Sequence, residues 1–153
     1  MVEPINVFTA HKGDVISFVG AGGKTSLIKA LASALKPHFS VAITTTTHMY
    51  PIENLLFENH LLNNKRTNLN NISNNSRIPV FFSTLNAEGK GLPPCLEDFE
   101  TITMTFDIVL IEADGARGKS LKLPRAHEPV VPENSNKVVL VIGLDIFGKP
   151  QAI

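Results

Sequence analysis

Apolar and polar positions follow two rhythms along this chain, and each change of rhythm marks an element. Val15-Ile16-Ser17-Phe18-Val19 is a short β-branched run with little polar alternation, the mark of a strand covered on both faces. From Thr25 to Leu35 the apolar residues Leu27, Ile28, Leu31, Ala32 and Leu35 fall at helical spacing, which predicts an amphipathic helix stopped by Pro37. Ser40 to Thr47 returns to strand chemistry, with Val41-Ala42-Ile43 followed by four threonines. Together these segments predict a strand, helix, strand unit, the smallest piece of a parallel α/β sheet.

Further along, the pattern is coarser. Asn54 to Leu62 reads as a candidate short helix, and the asparagine-rich stretch 63–76 as a long, exposed, flexible loop. Ile78-Pro79-Val80-Phe81-Phe82 is strand-like, and Pro79 assigns it to a sheet edge or a strand start. Cys95 to Thr105 is a helix candidate of poor propensity. Asp107 to Glu112 reads as a second buried strand, Ala113 to Asn136 as a long polar loop, and Lys137 to Leu144 as a third buried strand. The expectation is one domain over 1–153: an α/β fold resembling P-loop NTPases, with a mostly parallel sheet of about five strands and flanking helices.

Composition narrows the function classes. Lys plus Arg equals Asp plus Glu at 14 each, so broad electrostatic binding to nucleic acid or to an anionic membrane is not expected. No apolar run is long enough to span a bilayer, and the first residues lack the charged start and apolar stretch of a signal peptide, so a cytoplasmic location is expected. Cys95 is the only cysteine, which rules out an internal disulfide or a cysteine zinc cluster within these residues. It has no flanking positive charge to activate it. His11, His38 and His60 show no metal-ligand spacing.

The strongest chemical signal lies where the first strand meets the first helix, at Gly20-Ala21-Gly22-Gly23-Lys24-Thr25-Ser26. A P-loop wraps phosphates with successive backbone N–H groups while the helix N-terminus adds its positive dipole. Glycines allow close approach and positive φ, Lys24 would reach the terminal phosphates, and the Thr25 hydroxyl would ligate Mg²⁺. The common pattern places a glycine six residues before the lysine, where this chain has Phe18. Its tighter Gly-x-x-Gly-Lys-Thr spacing is that of the Mur peptide ligases, so an ATP-dependent acyl-phosphate ligase is an alternative reading. A glycine-rich turn without a ligand is another.

Glu112 and Asp114 stand two apart at the end of the second buried strand, at the sheet end where α/β proteins bind ligands. One could hold Mg²⁺ and the other orient a nucleophile; capping of an ordinary loop is the competing reading. The loop beyond carries Arg117, Lys119, Lys122, Arg125 and His127 against Glu128, either a clamp for an anionic substrate or a solvated basic face. Thr45 and Thr46, at the end of the second strand, are candidate phosphate or metal contacts, and His48 a base or a sheet-end cap. No base-specific motif stands out, so ATP is the default nucleotide.

Phe18 to Ser26, Thr44 to Met49 and Ile111 to Lys119 together resemble the YqeC family, as do Leu121-Lys122-Leu123-Pro124, His127 to Pro132, Val141 to Asp145 and Phe147 to Pro150. Its members are described as accessory proteins of selenium-dependent hydroxylases, or as selenium cofactor biosynthesis proteins. The resemblance implies a role in maturing molybdenum hydroxylases, with such a hydroxylase or its maturation proteins as partner. It also implies that the chain is shortened on its C-terminal side, and stretch 63–76 departs from the family pattern. Two functions are therefore expected to compete: a Mg²⁺-dependent NTPase or NTP-dependent transferase, and a non-catalytic nucleotide switch that delivers a cofactor. A relative that has lost all binding is a further alternative.

Overall fold

The computed structural model describes residues 9–62, 69–114 and 129–143. In chain order the elements are β1 (Asp14–Gly20), α1 (Lys24–Leu35), β2 (Val41–Thr45), β3 (Phe57–Leu61), α2 (Leu69–Ser73), β4 (Ile78–Phe82), α3 (Leu96–Thr105), β5 (Ile108–Glu112) and β6 (Lys137–Val141). The strands form one six-stranded sheet in the order β3-β4-β2-β5-β1-β6, and every pairing is parallel. The fold is α/β, as expected.

Two apolar clusters sandwich this sheet. Alternate residues of β1 divide between them: Ile16 and Phe18 pack with Ile28, Leu31, Ala32 and Leu35 of α1, while Val15 and Val19 share the other cluster with Phe99 and Ile102 of α3. β1, β2, β4 and β5 are buried along their whole length, which explains their unbroken apolar sequences. Each fully buried large side chain, such as Phe18, Phe81 or Leu110, contributes roughly 1.5–3 kcal/mol by leaving water.

The strand order creates a switch point at β1. The chain leaves β1 through α1 toward β2, which lies beyond β5, and later places β6 on the opposite side of β1. Such a reversal opens a crevice at the carboxyl ends of the strands, and the glycine loop sits there.

Four expectations need correction. Among the described residues the sheet has six strands against the expected about five, because Phe57–Leu61, expected to be helical, is the edge strand β3. All five of its residues pair with β4, and the Asn59 side chain is bonded twice to the Ile52 backbone at 3.0 Å, so tertiary pairing overrides local preference. β4 consequently lies inside the sheet, so of the two readings of Pro79 the strand start fits and the sheet edge does not. Its ladder to β2 holds only the pair Ile43↔Val80, as a residue without an N–H would dictate. Residues 69–73 of the asparagine-rich stretch form α2, anchored by buried Leu69, while 63–68 lie outside the described residues. Finally, among the described residues β6 is an edge strand rather than a buried one.

Candidate functional site at the carboxyl ends of the strands

Three successive glycine positions of the loop, Gly20, Gly22 and Gly23, have φ of +92°, +84° and +96°. That left-handed region costs other L-residues roughly 1–2 kcal/mol each, so the loop demands glycine. At Gly20 there is a steric demand as well. A Cβ there would lie 2.4 Å from the Val141 carbonyl oxygen and 2.9 Å from Leu140 Cδ1. β6 thus forms a wall of the loop, and the Ala21 N–H donates to the Val141 carbonyl at 2.9 Å.

Helix α1 begins at Lys24, directly after Gly23, with no side-chain cap and no acidic residue in its first turn. A helix start of this kind favours an anion in the loop before it. Helix α3 provides the contrast, since it carries Glu97 and Asp98 in its first turn. Ser26, also in the first turn of α1, is exposed.

The side chains expected to do chemistry converge on this loop. Lys24 is only 3% exposed, and its ammonium donates to the Gly20 carbonyl at 2.7 Å. The Thr25 hydroxyl donates to Glu112 Oε2 at 2.7 Å, and the Gly20 N–H donates to Asp114 Oδ2 at 3.2 Å. Both carboxylates are buried, and both are bonded to the loop, as the side-by-side pairing of β1 with β5 requires. Burial holds the Glu112 carboxyl above its usual range, and the neighbouring Asp114 charge adds to this; the Thr25 hydrogen bond and Lys24 oppose it.

The two threonines have main-chain partners. Thr45 donates to the Glu112 carbonyl at 2.8 Å, and Thr46 donates to the Val130 carbonyl at 2.6 Å. The Val130 N–H in turn bonds to the Ala113 carbonyl at 3.0 Å. Ala113 and Val130, which flank the basic stretch in sequence, are therefore held together at the carboxyl ends of β5 and β2. Arg117, Lys119, Lys122, Arg125 and His127 themselves lie outside the described residues. His48 is exposed, and no group of three or more His, Cys, Asp or Glu residues is arranged to hold a metal among the described residues. Cys95 is exposed as well, with its Sγ 3.2 Å from Asp98.

Sequence reasoning missed the part played by Leu140 and Val141. Nothing local in the chain signals that β6 lies against Gly20, since that contact arises only from strand order.

The family model described as YqeC protein matches residues 16–152. The chain belongs to the YqeC family. A curated relative from Escherichia coli (strain K12), described as "Uncharacterized protein YqeC", is 40% identical over 151 residues, covering 94% of this chain. The chain spans 57% of the length of that YqeC relative. No solved structure matches. Among the described residues no helix is long and apolar enough to cross a membrane.

Proposed function

We propose that this chain binds a nucleoside triphosphate with Mg²⁺ at the loop from Gly20 to Ser26, as a P-loop protein acting as an NTPase or NTP-dependent transferase. The observation that carries this reading is the coincidence of three positive-φ glycine positions with an uncapped helix start and a buried lysine. Successive positive-φ glycines turn backbone N–H groups toward a common centre, and a helix N-terminus behind them favours an anion. Lys24 would release the Gly20 carbonyl and meet the terminal phosphates.

The donor set fits Mg²⁺. Thr25 Oγ and the Glu112 carboxylate are already 2.7 Å apart at the edge of the loop, an oxygen pair of the kind this hard cation takes beside phosphate oxygens. When bound, the ion would neutralise phosphate charge. Asp114 would keep the loop in place through Gly20 or orient a nucleophile, and Thr45 and Thr46 would set the height of the β5 terminus beneath the phosphates. Arg117, Lys119, Lys122, Arg125 and His127 are proposed as the clamp for a second, anionic substrate; the support is that the flanking Ala113 and Val130 are held at the carboxyl ends of β5 and β2. A role in the maturation of selenium-dependent molybdenum hydroxylases is part of the proposal and rests on the family resemblance alone.

Calorimetric titration with ATP, GTP and CTP, each with Mg²⁺, tests the reading against a Lys24→Ala control. Binding at about micromolar Kd that the substitution abolishes is the expected result. Failure of all three nucleotides to bind, or equal binding by the control, would reject it.

A further inference from the structure

The two edges of the sheet are composed differently. β3 reads Phe57-Glu58-Asn59-His60-Leu61, with polar side chains of the kind that keep an edge from pairing elsewhere. β6 and its continuation read Lys137-Val138-Val139-Leu140-Val141-Ile142, apolar on both faces, as an interior strand of a parallel sheet does. Val139 and Val141 pack against the α1-side cluster. Val138, Leu140 and Ile142 alternate with them and are 56%, 66% and 43% exposed.

The usual edge defences are absent from this strand. It contains no proline, and its one charge, Lys137, is tied to buried Asp14. The Val141 carbonyl faces β1, where it accepts the Ala21 N–H, so by alternation the Val138 and Leu140 backbone groups face away from β1. Among the described residues no strand lies on that side.

We propose that β6 is an interior strand of the full-length family protein, and that its outer edge and exposed apolar face receive a further strand. That strand comes from polypeptide corresponding to the part of the E. coli relative that the match leaves uncovered. The supporting observation is length: this chain spans 57% of that relative, which leaves ample polypeptide to complete a sheet whose β6 edge is written for the interior. Pairing would join backbone groups along the edge and cover Val138, Leu140 and Ile142. Because Leu140 and Val141 wall Gly20, the added strand would also buttress the glycine loop. The proposal does not depend on nucleotide binding.

Deuterium exchange on this chain and on the full-length E. coli relative, side by side, tests it. The expected result is rapid exchange at the Val138 and Leu140 amides here, with exchange slowed about a hundredfold or more in the matching strand of the relative. Equal exchange in the two proteins overturns the proposal. So does protection in this chain that appears with a dimer in light scattering, because a second copy would then be the occupant. Lysine substitution gives an independent readout. Leu140→Lys is expected to leave the melting temperature of this chain within about 2 °C, as surface changes do. Lysine at the aligned position of the relative is expected to lower melting by about 4 °C or more, since it would bury a charge. Equal responses in both proteins overturn the proposal.

Discussion

Replacing Gly20 by alanine is expected to cost clearly more stability than replacing Gly23, although both hold positive φ. Their φ values are +92° and +96°, so a Cβ at either position meets the left-handed penalty of about 1–2 kcal/mol. The surroundings differ. On Gly23 the new methyl would find nothing within 4 Å, whereas on Gly20 it would lie 2.4 Å from the Val141 oxygen. Leu140 Cδ1, at 2.9 Å, can swing aside, but the Val141 oxygen is β6 backbone and accepts the Ala21 N–H. Forcing a methyl against it adds about 1–3 kcal/mol, and the strained hydrogen bond adds up to about 1 kcal/mol more. Gly23→Ala should therefore lose about 1–2 kcal/mol and Gly20→Ala about 2–6 kcal/mol. Urea unfolding at unchanged m reads the difference as a shift in midpoint. Heating reads it at about 2–4 °C per kcal/mol for a chain of this size. An equal or smaller loss in Gly20→Ala would refute the conclusion that β6 walls the loop.

Two further predictions concern buried charge. Glu112 has a raised pKa, so its contribution to stability is full below about 4.5 and is lost as pH rises through the folded value. Glu112→Gln keeps an acceptor for Thr25 without the charge; it should melt above the wild type at pH 7 and level with it near pH 4, while losing Mg²⁺-dependent nucleotide binding. A wild type that melts higher at pH 7 would contradict this. Asp14 is the reverse case: burial pushes its carboxyl up, but Lys137, the His11 N–H and Asn136 outweigh burial and hold it below the usual range. Its stabilisation is present above about pH 3.8 and is lost as pH falls through the folded value. Lys137→Met should cost about 1–3 kcal/mol at pH 7, with the gap to wild type closing in acid. A gap independent of pH would show that the ion pair is not its source.

Much of the architecture was readable because four strands are buried on both faces and leave unbroken apolar runs, with α1 between clear signals at Gly23 and Pro37. The glycine loop was readable for the same local reason, since positive φ, close approach and a helix start are written in adjacent residues. What escaped was everything set by partners distant in sequence. β3 is a strand because β4 and Ile52 hold it, not because Glu58-Asn59-His60 prefer to be extended. β6 carries an interior strand's sequence at an edge, and no periodicity distinguishes those two positions. The hydrogen bonds from the Thr45 and Thr46 hydroxyls to main-chain carbonyls of Glu112 and Val130 likewise could not be foreseen, because those carbonyls are distant in sequence.

The role of Asp114 can be separated from that of Glu112 by what each bond asks of its acceptor. Hydrogen bonds knit the site together, among them Lys24 to the Gly20 carbonyl, Thr25 to Glu112, and the Gly20 N–H to Asp114. A phosphate in the loop competes for the Lys24 ammonium and the Thr25 hydroxyl, so on the proposed reading binding is an exchange of partners, in which each bond nets only about 0.5–1.5 kcal/mol. The Gly20 tether is different in kind, because it needs an oxygen at the position of Asp114 Oδ2 but not a charge. If Asp114 serves the loop as that tether, Asp114→Asn should keep nucleotide affinity within about threefold, while Asp114→Ala should weaken it about tenfold, the equivalent of about 1.4 kcal/mol. If its charge acts on the metal or on a nucleophile during binding, the two substitutions should weaken affinity alike. Titration of both variants with the same Mg²⁺-nucleotide decides the matter, and equal losses would remove Asp114 from the scaffold and place it in the chemistry.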